Sequence, residues 1–122
     1  MIIGIGIDLI SIPRIEKLIN KWGRRFKEKV FSDSEIKYSE GHQRDEQHFA
    51  GSFAVKEAFI KALGMRNIRL LDIEVVRNEH GKPYITLHGE AKLRVEEMEI
   101  KHICTSISHD GEYSIAVVVL EK

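Results

Sequence analysis

Between Arg44 and Leu63 the sequence RDEQHFAGSFAVKEAFIKAL runs through strong helix formers and stops at Gly64, a residue suited to a helix C-terminal cap. It predicts the longest helix of the chain. With 122 residues, 43% of them hydrophobic and 31% charged, the rest of the sequence suffices for one compact domain over residues 1–122 and leaves no room for a second.

The flanking segments are shorter. Ile2 to Ile10 alternates Ile with Gly, so the branched residues favour a strand and the glycines allow close backbone approach, with Asp8 near the strand's C-terminal end. Ser11 suits a cap and Pro13 a first helical turn, and Ile15, Leu18, Ile19 and Trp22 recur at helical spacing until Gly23. Ser32 and Glu35 have capping-box spacing, which starts a second helix towards Gly41. Asp72–Arg77 and Tyr84–Leu87 read as a hairpin around NEHGKP, and Glu90–Ile100 as a charged helix. HICTSISH and YSIAVVVLE form two strands around a tight Asp110-Gly111 turn. The order is strand, three helices, two strands, helix, two strands. Helices and strands do not alternate regularly, so a mixed α+β layer fold is expected rather than a doubly wound parallel sheet.

Nineteen Lys+Arg balance nineteen Asp+Glu, which argues against a nucleic-acid binder and makes any electrostatic recognition local. The one cysteine, Cys104, has no internal disulfide partner. The opening MIIGIGIDLI lacks a basic leader, carries Asp8 and falls short of a membrane span, so a reducing cytoplasmic setting is expected.

On the long helix Ala50, Ala54, Glu57 and Lys61 are spaced to share one face, whose small residues predict open space above the backbone. A Glu57/Lys61 pair is commonly only a solvated helical ion pair. With Asp8 it acquires another meaning, because two carboxylates from separate elements plus water and phosphate oxygens suit magnesium. His109, at a strand end before Asp110-Gly111, is either a turn-stabilising or a catalytic residue. The other histidines have neither an HExxH pair nor a cysteine companion, which argues against zinc. Gly4 and Gly6 lack the third glycine of a dinucleotide fingerprint, and no Walker A lysine motif occurs.

Together GIGIDL, FAGSFAVKEAFIKALG, GKPYITLHGEAK and SISHDGEYSIAVVV resemble, in order and over essentially the whole chain, the holo-[acyl-carrier-protein] synthases, the small bacterial 4'-phosphopantetheinyl transferases. The resemblance implies transfer of 4'-phosphopantetheine from coenzyme A to a serine of apo-acyl carrier protein, leaving adenosine 3',5'-bisphosphate. It implies an α+β fold and a homotrimer with active sites between subunits. Asp8 and Glu57 match the family's Mg2+ ligands, Lys61 the lysine facing the coenzyme A phosphates, and His109 the histidine near the bound nucleotide. Glu57, Lys61 and His109 are thus the expected catalytic residues, with Lys61 and His109 also contacting coenzyme A. One position departs from the pattern: many members carry Arg where this chain has Ser52, which leaves Arg44 or another subunit to supply a cation.

The expected carrier-protein surface is the basic stretch on and just after the first helix, Arg14, Leu18, Lys21, Arg24 and Arg25, with Lys17 nearby and Trp22 as a further apolar contact or as core. The competing readings are another magnesium-dependent phosphate-ester hydrolase, using the same acids and lysine with water as nucleophile, and a non-catalytic carrier-protein-binding module. The sequence leaves open which carrier proteins, of fatty-acid or polyketide synthesis, are served.

Overall fold

The computed structural model describes residues 1–122. Five strands and five α-helices follow in the order β1 (Ile2–Ser11), α1 (Ile12–Trp22), α2 (Arg24–Val30), α3 (Asp33–Glu40), α4 (Asp45–Leu63), β2 (Ile73–Arg77), β3 (Pro83–Leu87), α5 (Gly89–Glu97), β4 (His102–Asp110) and β5 (Tyr113–Glu121), with a 3-10 turn at Leu70–Asp72. The fold is α+β, as expected. Four α-helices rather than three lie between β1 and β2. Gly23 takes φ +56 and breaks the run, but RRFKEKV behind it is made of helix formers and re-forms as the short α2, which buries Val30.

Where start and stop signals are local, the elements match the sequence. The Ser11 hydroxyl accepts from the Arg14 amide at 3.4 Å and Pro13 lies in the first turn of α1. Ser32 and Glu35 form the capping box of α3. Gly64 closes α4 in the left-handed conformation. Helix α5 ends earlier than its sequence pattern, at Glu97, and Glu99 follows with φ 58.

Strands β1, β5 and β4 form an antiparallel sheet in that order, and β2 pairs with β3 in a separate hairpin. Helix α4 lies across the inner face of the large sheet. A Cβ on Gly4 or Gly6 would run into the carbonyl oxygens of Ala62 and Ala58, so these glycines let β1 and α4 meet backbone to backbone. The core fills the remaining space with Phe31, Phe49, Val55, Phe59, Ile73, Val118 and Leu120, all nearly inaccessible.

Within this core lies an ion pair. Lys56 Nζ is 3.0 Å from Glu35 Oε1, both side chains are inaccessible, and Nζ also donates to the carbonyls of Leu70 and Ile73 at 2.8 and 2.6 Å. All three ammonium protons are therefore used. Glu35 also accepts from the Ser32 amide through Oε1 and from the Val75 amide through Oε2, joining α3, α4 and β2. Burial lowers the Lys56 pKa, against the pull of Glu35.

The opposite face of the large sheet is bare. Ile5, Ile7 and Leu9 are 68%, 56% and 60% exposed, and their cross-strand partners Val119, Val117 and Ile115 continue the apolar surface on β5. Alternation explains the pattern, since Gly6, Asp8 and Ile10 turn inward while their neighbours turn out. No helix of the chain is long and apolar enough to cross a membrane.

Candidate active site

The alanine face of α4 is not open over its whole length. Ala50 and Ala54 are fully buried, because the sheet, α1 and α3 close around the helix, and only the last turns, with Glu57 and Lys61, reach a cleft. This cleft, about 630 Å³ in volume, is walled by Glu57, Ile60, Lys61, Gly64, Met65, Arg66, Ile68 and Leu70.

Asp8 enters from β1. Its register opposite Ala116 directs the side chain to the helix-covered side of the sheet, where Gly6 has brought the strand down onto α4. Lys61 does not form the helical pair with Glu57 that their spacing suggests. Its Nζ donates to Asp8 Oδ1 at 3.1 Å and to the Ile7 carbonyl at 3.0 Å. Asp8 Oδ2 is buried and has no hydrogen-bond partner. Burial raises the Glu57 pKa and the Asp8 charge raises it further, while Lys61 opposes both. Two acids from separate elements, one with an unpartnered buried oxygen, are a donor set for a hard divalent cation that takes its remaining ligands from water and phosphate. The protein groups no third acid, histidine or cysteine with them.

His109 belongs to a different group of side chains. It lies on β4, on the same side of the sheet as Asp8, with β5 between the two strands. Its Nδ1 is 2.6 Å from Ser114 Oγ across the hairpin, and its ring faces Gly51 and stands 6.3 Å from that of His48. Gly51 precedes Glu57 by six residues, about 9 Å of helix rise. Arg77, which sequence reasoning left unassigned, completes the group by donating from Nη1 to Ser52 Oγ at 3.0 Å. A guanidinium thus stands beside Ser52, carried by β2, where Arg44 or another subunit is the expected source of a cation. Burial lowers the His109 pKa, and Arg77 and Arg44 push it the same way.

Arg14, Lys17 and Lys21 on α1 and Arg25 on α2 are exposed and enter no ion pair, whereas Arg24, also on α2, lies 3.9 Å from Glu28 and 3.8 Å from Glu40. Trp22 is 48% exposed and lines an apolar groove with Leu18 and Phe26, flanked by Arg25 and Lys29, so it is not core.

An α+β chain with two acids and a lysine converging on a cleft has the equipment of an enzyme acting on phosphate esters. The family profile described as the 4'-phosphopantetheinyl transferase superfamily matches residues 4–118, and the chain belongs to that superfamily. It is 44% identical over 124 residues to the holo-[acyl-carrier-protein] synthase of Halothermothrix orenii, covering 100% of this chain and 99% of that protein. Its fold is similar to the crystal structure of the Neisseria meningitidis holo-[acyl-carrier-protein] synthase, with a TM-score of 0.90 at 32% identity over 100% of both chains. It is also similar to the Helicobacter pylori synthase in complex with coenzyme A, with a TM-score of 0.85 at 38% identity over 96% of this chain and 99% of that one.

Proposed function

We propose that this chain transfers the 4'-phosphopantetheine group of coenzyme A to a serine of apo-acyl carrier protein, releasing adenosine 3',5'-bisphosphate. The observation that carries the reading is the full-length likeness, in sequence and fold, to holo-[acyl-carrier-protein] synthases, one of them solved with coenzyme A.

The unpartnered oxygen of Asp8 and the adjacent Glu57 carboxylate would hold Mg2+. When bound, the ion supplies Lewis-acid polarisation of the pyrophosphate and offsets charge growing on the leaving phosphate. Lys61 uses two of its protons on Asp8 and Ile7, so the third is free for a phosphate oxygen at the cleft mouth. The same two bonds fix the lysine before substrate arrives, which places its charge with little further loss of freedom. A serine hydroxyl brought to this end of the cleft gives its proton to the Glu57 carboxylate or to a water beside it. His109, anchored on Ser114, faces the nucleotide.

The acidic helix of a carrier protein docks on α1 and the start of α2, where Arg14 and Arg25 enter no ion pair, Lys21 lies over the Trp22 ring, and Leu18 with Trp22 adds apolar area. Arg24, shared with two glutamates, contributes less. The bare sheet face of Ile5, Ile7 and Leu9 with Val117 and Val119 is covered by further copies of the chain in a homotrimer, because an apolar surface of this continuity is costly in water. The enzyme works in the cytoplasm, supplying carrier protein for fatty-acid synthesis.

The test is release of adenosine 3',5'-bisphosphate from coenzyme A and Mg2+. The proposal requires that release depend on apo-acyl carrier protein. Release without it marks a hydrolase, and carrier-protein binding without release marks a non-catalytic module.

A further inference from the structure

Arg77 is a guanidinium packed into the fold without an ion-pair partner. It leaves β2 and lies over the Tyr38 ring, with Cζ 4.7 Å from the ring centroid. Nη1 donates to Ser52 Oγ at 3.0 Å, and Nη2 reaches the His48 carbonyl at 3.5 Å. The group is half-buried, yet Arg77 enters none of the chain's ion pairs. Guanidinium stays charged at any working pH and carries five N–H donors, so three have no protein acceptor here.

The surroundings supply mainly positive charge; the acids that act on the cluster are Glu35, which is paired with Lys56, and Asp45, which acts on His48, and neither forms an ion pair with Arg77. His48, His109 and Arg44 lie close enough to Arg77, or to one another, to disfavour added positive charge on the imidazoles. The wall between them is kept bare, since a Cβ on Gly51 would stand 3.0 Å from His109 Cε1 and 3.4 Å from Arg77 Nη2. Ser114 holds His109 through Nδ1 and leaves Nε2 unengaged. A fixed fork of donors beside a free imidazole nitrogen, with no carboxylate paired to it, is a receptor for a phosphate.

We propose that Arg77 is a nucleotide-binding residue whose guanidinium, fixed by Ser52 and Tyr38, pairs with the 3'-phosphate of coenzyme A beside His109. The inference rests on the proposed function, which brings coenzyme A to this protein. The pyrophosphate belongs with Asp8, Glu57 and Lys61, whereas Gly51, flanked by Arg77 and His109, is about 9 Å further along α4. The phosphate monoester on the ribose is the other anionic group of coenzyme A, and a dianion of that kind favours a bidentate arginine.

Calorimetric titration of the wild type, Arg77→Gln and Arg77→Lys with coenzyme A and with 3'-dephospho-coenzyme A tests it. Arg77→Gln is expected to lose about 10- to 100-fold in affinity for coenzyme A, the scale of one charge-assisted hydrogen-bonded pair, and almost nothing for the dephospho form. Arg77→Lys, which keeps charge and stem but not the fork, should fall between, and it carries the same comparison if the Gln variant does not fold. Equal losses on both ligands, or no loss on either, overturn the assignment. Adenosine 3',5'-bisphosphate and 5'-AMP, titrated the same way, separate this inference from the function it rests on. Arg77-dependent preference for the bisphosphate in a protein that modifies no carrier protein would leave Arg77 as a phosphate-binding residue and remove the proposed reaction.

Discussion

Lys61 and Asp8, 53 positions apart in the chain, meet at 3.1 Å, and the bond occupies one oxygen of the carboxylate while the other stays buried without a partner. The lysine thereby orients the acid while its side chain stays exposed at the edge of the cleft. A carboxylate held in this half-satisfied state is costly unless a cation completes it.

Asp8→Asn and Glu57→Gln are therefore expected to lose roughly 100-fold or more in kcat while remaining folded, since charge stabilisation at a metal is worth several kcal/mol. Steady-state assays across a magnesium titration, with circular dichroism as the folding control, check this. Wild-type rates in both variants would remove the two acids from the site.

Lys56→Met should destabilise the fold by about 3–5 kcal/mol, because it leaves Glu35 charged and unpaired in the core and strips the Leu70 and Ile73 carbonyls of their donor. Urea unfolding measures the loss. Combining it with Glu35→Gln should cost less than the two single losses added together, and strict additivity would show that the pair is not coupled.

Burial, followed by the nearby His42, Arg77 and His109, pushes the His48 pKa down from 6.5 to about 4. As pH falls through that window the unfolded chain gains a proton at His48 that the folded chain refuses, so stability drops between about pH 6.5 and pH 4. His109, shifted the same way, adds to the slope. Urea midpoints at pH 7, 5.5 and 4 should decline less steeply in His48→Gln than in the wild type; parallel declines would contradict the assignment.

Ile5→Asp alters only the bare sheet face, opposite Val119. Light scattering should find a trimer for the wild type and smaller species for the variant, with transfer activity falling alongside. A fully active monomeric wild type would contradict the assembly.

What the sequence displayed and what it concealed divide by chain separation. Helix α4 and the capping box at Ser32 and Glu35 follow from neighbours a few residues apart and are found where periodicity and turn chemistry put them, and the last hairpin forms with its two-residue loop one position later than expected, at Gly111-Glu112. Helix α2 was obscured because Gly23 reads as an end, although a new turn begins directly behind it. The open face expected around Ala50 and Ala54 failed for another reason: small residues on a central helix also let other elements close over it, and here they did. The place of Lys56 was hidden, because nothing local shows that Glu35 and two carbonyls surround it. Asp8, Glu57 and Lys61 were legible as candidates from residue type and spacing, and more sharply through the resemblance, but the Lys61 bond to Asp8 was not. Arg77 carried no signal at all, since its meeting with Ser52 depends on how the β2–β3 hairpin packs beside α4.

Transfer to a carrier protein is tested most directly by the intact mass of apo-acyl carrier protein before and after incubation with this enzyme, coenzyme A and Mg2+. A carrier protein lacking the acceptor serine serves as control. The carrier protein is expected to gain one phosphopantetheine and the serine-less control none, with one adenosine 3',5'-bisphosphate appearing per modified molecule. An unchanged mass while coenzyme A is consumed, or while the two proteins bind without reaction, would contradict transfer.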